Sequence, residues 1–216
     1  MISNNEIQTW RNNWKTKKER SLSINDFDNI DKIIQEAIKR SYAPSVQNTA
    51  LKNEKYGSEK LKKPRQECEP ILLNALIKVY SNITITEQQF IDWEKNLADE
   101  LKKTYYKNDI TKYTYGNAQK WINMSIKYLF SSDHIDHSHK LFEICFLPID
   151  RIVQDKAYKE LGVKKLPVAW SRCDTWQNIL DYEKNIKNAI KEKTDFNTRL
   201  WWECNAWNTS IKQSIN

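Results

Sequence analysis

Apolar positions along this chain recur at intervals of three and four residues, and that spacing predicts helices almost throughout. Ile7, Trp10 and Trp14 mark an amphipathic helix over residues 5–19. In FDNIDKIIQEAIKRSY, Ile30, Ile33, Ile34, Ala37 and Ile38 form a continuous stripe, with caps offered by Ser23 to Asp26. Ile71, Leu72, Ala75, Leu76 and Val79 predict a helix over 67–80. Thr86-x-x-Gln89 has the form of a capping box and opens a helix through Phe90, Trp93, Leu97 and Leu101 to about Tyr106. A helix from Gly116 turns Trp121, Ile122, Ile126, Tyr128 and Leu129 inward in some combination. Asp150, set up by Pro148, caps a helix carrying Ile152, Val153, Ala157, Tyr158 and Leu161, which Gly162 ends. Ser171 or Asp174 opens a helix to about Lys193, and Thr194 or Asp195 a last one holding Trp201, Trp202 and Trp207. Residues 44–64 break the pattern. Pro44, Gly57 and Pro64, amid Ser, Asn and mixed charge, predict an extended loop with at most a short helix, ending in the cations Lys60, Lys62, Lys63 and Arg65.

The fold class expected is therefore all-α. The 216 residues fit a single compact helical domain, either undivided or as two lobes (1–108 and 109–216) with a cleft between them. Only 3 Gly and 5 Pro leave little turn chemistry for an all-β alternative. The formal charge of +7 changes the picture more, because a basic surface attracts phosphate. The most basic segment holds Lys102, Lys103, Lys107, Lys112, Lys120 and Lys127 against one acid, Asp109. Cys68, Cys145, Cys173 and Cys204 are scattered without a CxxC pair, which excludes a zinc ribbon and a dense disulfide framework. The start lacks the apolar run of a secretory signal, and no stretch is apolar enough to span a bilayer. The expectation is a cytoplasmic protein with no membrane partner.

Three sets of residues carry candidate chemistry. The histidines cluster in Asp133-His-Ile-Asp-His-Ser-His139, where His134, His137 and His139 with Asp133 and Asp136 have metal-ligating side chains. A metal site needs ligands converged by rigid elements, so this run reads as a solvated loop, with no metal and no cofactor. No arginine precedes these histidines at the spacing of the helical Arg-x4–6-His ribonucleases. The tryptophans Trp170, Trp176, Trp201, Trp202 and Trp207 pack a core or stack on a base. Trp201 and Trp202 point in different directions on a helix, so at least one is expected near the surface, and with Trp207 they offer a face for a protein partner or a second copy.

The third set lies in Tyr115-Gly-Asn-Ala-Gln-Lys-Trp-Ile122 and Leu147-Pro-Ile-Asp-Arg-Ile-Val153. The first stretch resembles the hairpin and following helix of the helix-hairpin-helix DNA glycosylases, which typically read Gly-x-Gly-x-Lys. Gly116 matches the first glycine and Lys120 the lysine. The second resembles that family's Pro-Val-Asp-x-His-Val, with Asp150 at the aspartate. Ala118 stands for the second glycine and Ile152 for the histidine. The gap between lysine and aspartate is longer than in most members and closer to the divergent archaeal 8-oxoguanine glycosylases. The family's iron–sulfur cysteines are absent, and the likeness covers about a quarter of the chain. It implies a DNA glycosylase or lyase that excises a modified or damaged base; the alternative expected from the residues themselves is a non-catalytic helical protein that binds nucleic acid or another protein. Under the first, Lys120 is the Schiff-base nucleophile and Asp150 the carboxylate. A crowded or desolvated amine is nucleophilic, and a carboxylate at a helix N-terminus stays ionised. The amides of Gly116 and Asn117 would hold a DNA phosphate, with Lys102, Lys103, Lys107, Lys112, Lys127 and Arg151 along the strand.

Overall fold

The computed structural model describes residues 29–47, 49, 51, 58–132 and 135–213, with only the backbone course for 58 and 207–213. The helix predicted over 5–19 and the caps from Ser23 to Asp26 lie outside that set. Among the described residues the chain is all-α, with eight α-helices and no strand. Helix α1, Ile30–Val46, is capped by Asn29, whose side chain accepts from the Asp31 amide. Its stripe of Ile33, Ile34, Ala37 and Ile38 is buried as the periodicity requires. Helix α1 runs past Pro44, which falls in its last turn.

Helix α2, Ser58–Tyr80, begins nine residues before the expected start at Glu67 and contains Pro64 and Pro70. The loop predicted over 44–64 is therefore helical at both ends. Each interior proline forfeits one backbone hydrogen bond, and burial of Leu61, Cys68, Leu72, Leu76 and Val79 offsets that loss. The basic run Lys60, Lys62, Lys63 and Arg65 lies on this helix, not on a strand-tracking loop, and Arg65 pairs with Glu69 one turn on.

Helix α3, Glu87–Lys107, opens on the predicted capping box: Thr86 and Gln89 each accept from the other's amide. Helix α4, Tyr115–Phe130, has a second box, Thr114 with Asn117, which lacks the usual sequence signature because Asn, not Glu or Gln, stands at its third position. Helix α4 is buried on nearly all sides and packs on α1 and α3. Trp121 donates to the Ile38 carbonyl at 3.1 Å, and Asn117 to that of Ser45 at 2.9 Å. One continuous apolar core thus crosses the 108/109 boundary, with α4 as its axis.

A short helix α5, Lys140–Ile144, leads into a buried extended segment, 145–149. Helix α6, Arg151–Lys156, is capped by Asp150 as predicted and runs on as a π turn, Ala157–Leu161. Gly162 ends it at φ 71°, the left-handed conformation that glycine adopts freely. A 3₁₀ turn, Trp170–Arg172, precedes α7, Trp176–Lys193, and α8, Arg199–Gln213. The last two helices start later than expected, after Thr175 and Thr198. Helix α8 wedges among α5, α6 and α7. Both Trp201 and Trp202 are consequently buried, at 7% and 1% exposure, which corrects the expectation that one would face a partner. Trp201 meets Phe130 edge-on, and the side chain of Trp207 lies outside the described set.

Candidate site at Lys120 and Asp150

Two elements that are distant in sequence meet at the N-terminal half of α4. The joint is made by Gln119. Its amide donates to the Ile149 carbonyl at 3.0 Å and accepts from the Ile149 amide at 3.2 Å. That two-way pairing imitates a strand–strand contact and lays Pro148-Ile149-Asp150 along α4. Lys120, the next residue, then points at what that segment presents. Its Nζ donates to Asp150 Oδ2 at 2.6 Å and to the Pro148 carbonyl at 3.0 Å. The other Asp150 oxygen accepts from the Val153 amide at 2.8 Å, closing the cap of α6. The two residues picked out of the sequence motifs are therefore in direct contact.

The pair is mostly buried: the Lys120 side chain is 3% exposed and that of Asp150 14%. Burial alone would raise the Asp150 carboxyl. The Lys120 charge, its hydrogen bond, the Val153 amide and the Lys127 charge together outweigh burial and hold it below its ordinary value. A partly buried indole, Trp170, lies over the amine with its ring centroid 5.9 Å from Nζ. Lys120, Asp150 and Trp170 thus form a cation, an anion and an aromatic face at one point, two of which keep some contact with solvent.

Trp170 is held there by the start of α4. The Gly116 amide donates to the Cys173 carbonyl at 2.9 Å, the Thr114 hydroxyl to that of Ser171 at 3.2 Å, and the Tyr115 amide to Asp174 at 3.2 Å. A Cβ on Gly116 would stand 1.7 Å from the Trp170 carbonyl oxygen. Glycine is required at 116 for close approach of the Trp170 turn. The Asn117 amide donates to Thr114 Oγ1 at 3.3 Å. The Gly116 and Asn117 amides, expected to hold a phosphate, are both engaged within the chain.

The expected strand contacts separate into two groups. Lys103, Lys107, Lys112 and Arg151 are exposed. Lys102 is held by Asp174 and lies 3.8 Å from the centre of the Tyr115 ring. Lys127 is buried and donates to Glu203 at 2.7 Å, so its ammonium is not at the surface. Burial would lower the Lys127 ammonium, but the adjacent Glu203 charge raises it. Lys120 and Lys127 are seven residues apart, two turns on one face of α4, and each has an acid opposite, Asp150 and the buried Glu203. Helical spacing could have flagged that repeat; the partner Glu203 could not have been found from sequence.

In the histidine loop, Asp133 and His134 lie outside the described residues. The His137 ring is hydrogen-bonded to the Phe130 carbonyl at 3.0 Å, and His139 caps α5 while stacking on Tyr80. Among the described residues no three His, Cys, Asp or Glu side chains converge as a metal site. A groove of about 1220 Å³ lies at the far end of α4, floored by Phe130, Phe142 and Trp201. No helix among the described residues is long and apolar enough to cross a membrane. No protein-family model, curated protein or solved structure matches this chain.

Proposed function

We propose that this chain is a nucleic-acid enzyme of the DNA glycosylase type, with Lys120 as nucleophile and Asp150 as its carboxylate. The observation that carries the reading is the 2.6 Å contact between the two, made across 30 residues of chain. In the proposed reaction Asp150 takes a proton from the ammonium, and the freed amine attacks C1′ of a nucleotide turned out of the helix. The bond from C1′ to the base breaks, carbon and Nζ are joined, and the base leaves with the broken bond's electron pair and takes from Asp150 the proton that came from the ammonium, so that Asp150 is ionised again. Asp150 then faces the positive charge that develops on the sugar, as an ionised carboxylate held in a fixed position can.

Borohydride trapping on duplexes carrying an abasic site or a modified base tests this directly. The expected result is a covalent adduct that Lys120→Gln abolishes, and base release that Asp150→Asn slows by about 10²- to 10⁴-fold. Wild-type protein giving neither adduct nor free base on any such duplex would sink it.

The deep burial of Lys120 favours a second reading, in which the pair is a tie between α4 and α6 in a non-catalytic binding protein. That version expects Lys120→Gln to lower thermal stability and to leave nucleic-acid binding unchanged.

A further inference from the structure

We propose that Arg151 and Arg172 form a two-point phosphate clamp that holds a nucleic-acid strand beside the Lys120–Asp150 pair. Five arginines lie among the described residues. Arg40 pairs with Glu36 at 2.7 Å, Arg65 with Glu69 at 2.7 Å, and Arg199 with Glu87 at 3.2 Å and Glu183 at 3.7 Å. Arg151 and Arg172 are exposed and have no acidic partner among the described residues. They are also the two arginines nearest the site in the chain. Arg151 follows Asp150, and Arg172 lies two residues beyond Trp170 in the same 3₁₀ turn.

Both positions are fixed by the fold. Asp150 is pinned by Lys120 and by the Val153 amide. The turn bearing Arg172 is bound to the start of α4 by Gly116, Thr114 and Tyr115. Arg151 begins α6, where the helix dipole disfavours a cation, so the stability of that helix gives no reason for it. A guanidinium is a planar fork that matches two phosphate oxygens. The backbone amides that would otherwise bind phosphate here are spent, that of Gly116 on the Cys173 carbonyl and that of Asn117 on the Thr114 hydroxyl, which leaves the task to side chains. Two cations beside a carboxylate make a poor patch for an anionic membrane, which recruits runs of lysine and arginine. They suit a strand whose phosphates flank one nucleotide, with the Trp170 face beside it for a base.

The clamp rests on the nucleic-acid part of the function proposed above, not on its chemistry, and two assays on the full chain separate them. In the first, binding of labelled single-stranded and duplex oligonucleotides is measured by anisotropy from about 50 to about 300 mM salt. Arg151→Ala and Arg172→Ala are each expected to weaken binding and to flatten the slope of log K against log salt by about one, and the double variant by about two. Arg40→Ala, which removes a paired arginine, is expected to leave the slope unchanged. A double variant with wild-type slope and affinity overturns the clamp, as does wild-type protein that binds neither oligonucleotide. So does equally strong, equally arginine-dependent binding to phosphatidylserine vesicles, which would assign the two residues to a lipid surface. In the second assay the same proteins are trapped with borohydride. An arginine-dependent slope without any adduct leaves the clamp standing and removes the glycosylase; an adduct with an unchanged slope does the reverse.

Discussion

Gly116 shows how a residue can be singled out correctly for a reason that the fold then replaces. The motif marks it as a hairpin glycine facing phosphate, whereas the structure places the Trp170 carbonyl where its side chain would be. Gly116→Ala is therefore expected to push the 170–174 turn away from α4. A destabilisation of about 1–3 kcal/mol should appear in thermal or denaturant melts, with a change in tryptophan emission as the indole over Lys120 moves. Ala118→Gly, which restores the second motif glycine, opens space inside a buried helix and should destabilise by about 1 kcal/mol without that spectral change. A melt unaffected by Gly116→Ala would contradict the close approach.

At the scale of elements, the link that builds the site is a single side-chain amide. Gln119 satisfies both backbone groups of Ile149 and so sets the register of the 147–150 segment against α4. Gln119→Leu keeps approximate size and removes both bonds, leaving the buried Ile149 carbonyl without a partner, while the Ile149 amide keeps its bond to the Leu147 carbonyl. The expected cost is about 1–3 kcal/mol, and the borohydride adduct should fall along with it, because Asp150 loses its fixed place opposite Lys120. The capping boxes of α3 and α4, the Asp150 cap and the Gly162 stop are local devices, and three of those four were visible in the sequence. The first part of helix α2, residues 58–66, was not, because Gly57 and Pro64 argue locally against a helix that its packing on α1 and α3 sustains.

Across the whole molecule, the distinctive feature is charge placed inside an apolar core. Glu94, Glu183, Glu203, Lys127 and Arg199 are all buried. Glu183 accepts from the Leu147 amide at 3.1 Å and so anchors the segment that leads to Asp150. Burial pushes its carboxyl up to about 7 despite the opposing Arg199. The folded state then keeps a proton that the unfolded chain releases near its ordinary value of 4.5, so stability falls as pH rises from there to about 7. The shift corresponds to about 3 kcal/mol, and Glu183→Gln should flatten this part of the stability–pH curve in urea melts taken at successive pH. Asp150 acts in the opposite sense. Its carboxyl is lowered, so its contribution is present above the ordinary value and is lost as pH falls through the folded one. The Lys127–Glu203 pair gives a further test. Lys127→Met alone strands a buried carboxylate and should cost about 3–5 kcal/mol, whereas Lys127→Met with Glu203→Leu should recover most of that loss.

The sequence by itself determined the helical class and most helix positions, and its motif resemblance singled out Lys120 and Asp150. Those follow from periodicity, capping chemistry and short motifs, which act over a few residues and are written locally. Only the tertiary structure decided that the pair touches, that Gly116 serves the Trp170 turn, that Trp201 and Trp202 are interior, and that Lys127 is withdrawn from the surface to Glu203. Each of those depends on contacts between segments tens of residues apart. Local spacing fixes which face of a helix a side chain occupies, and packing alone fixes what that face meets.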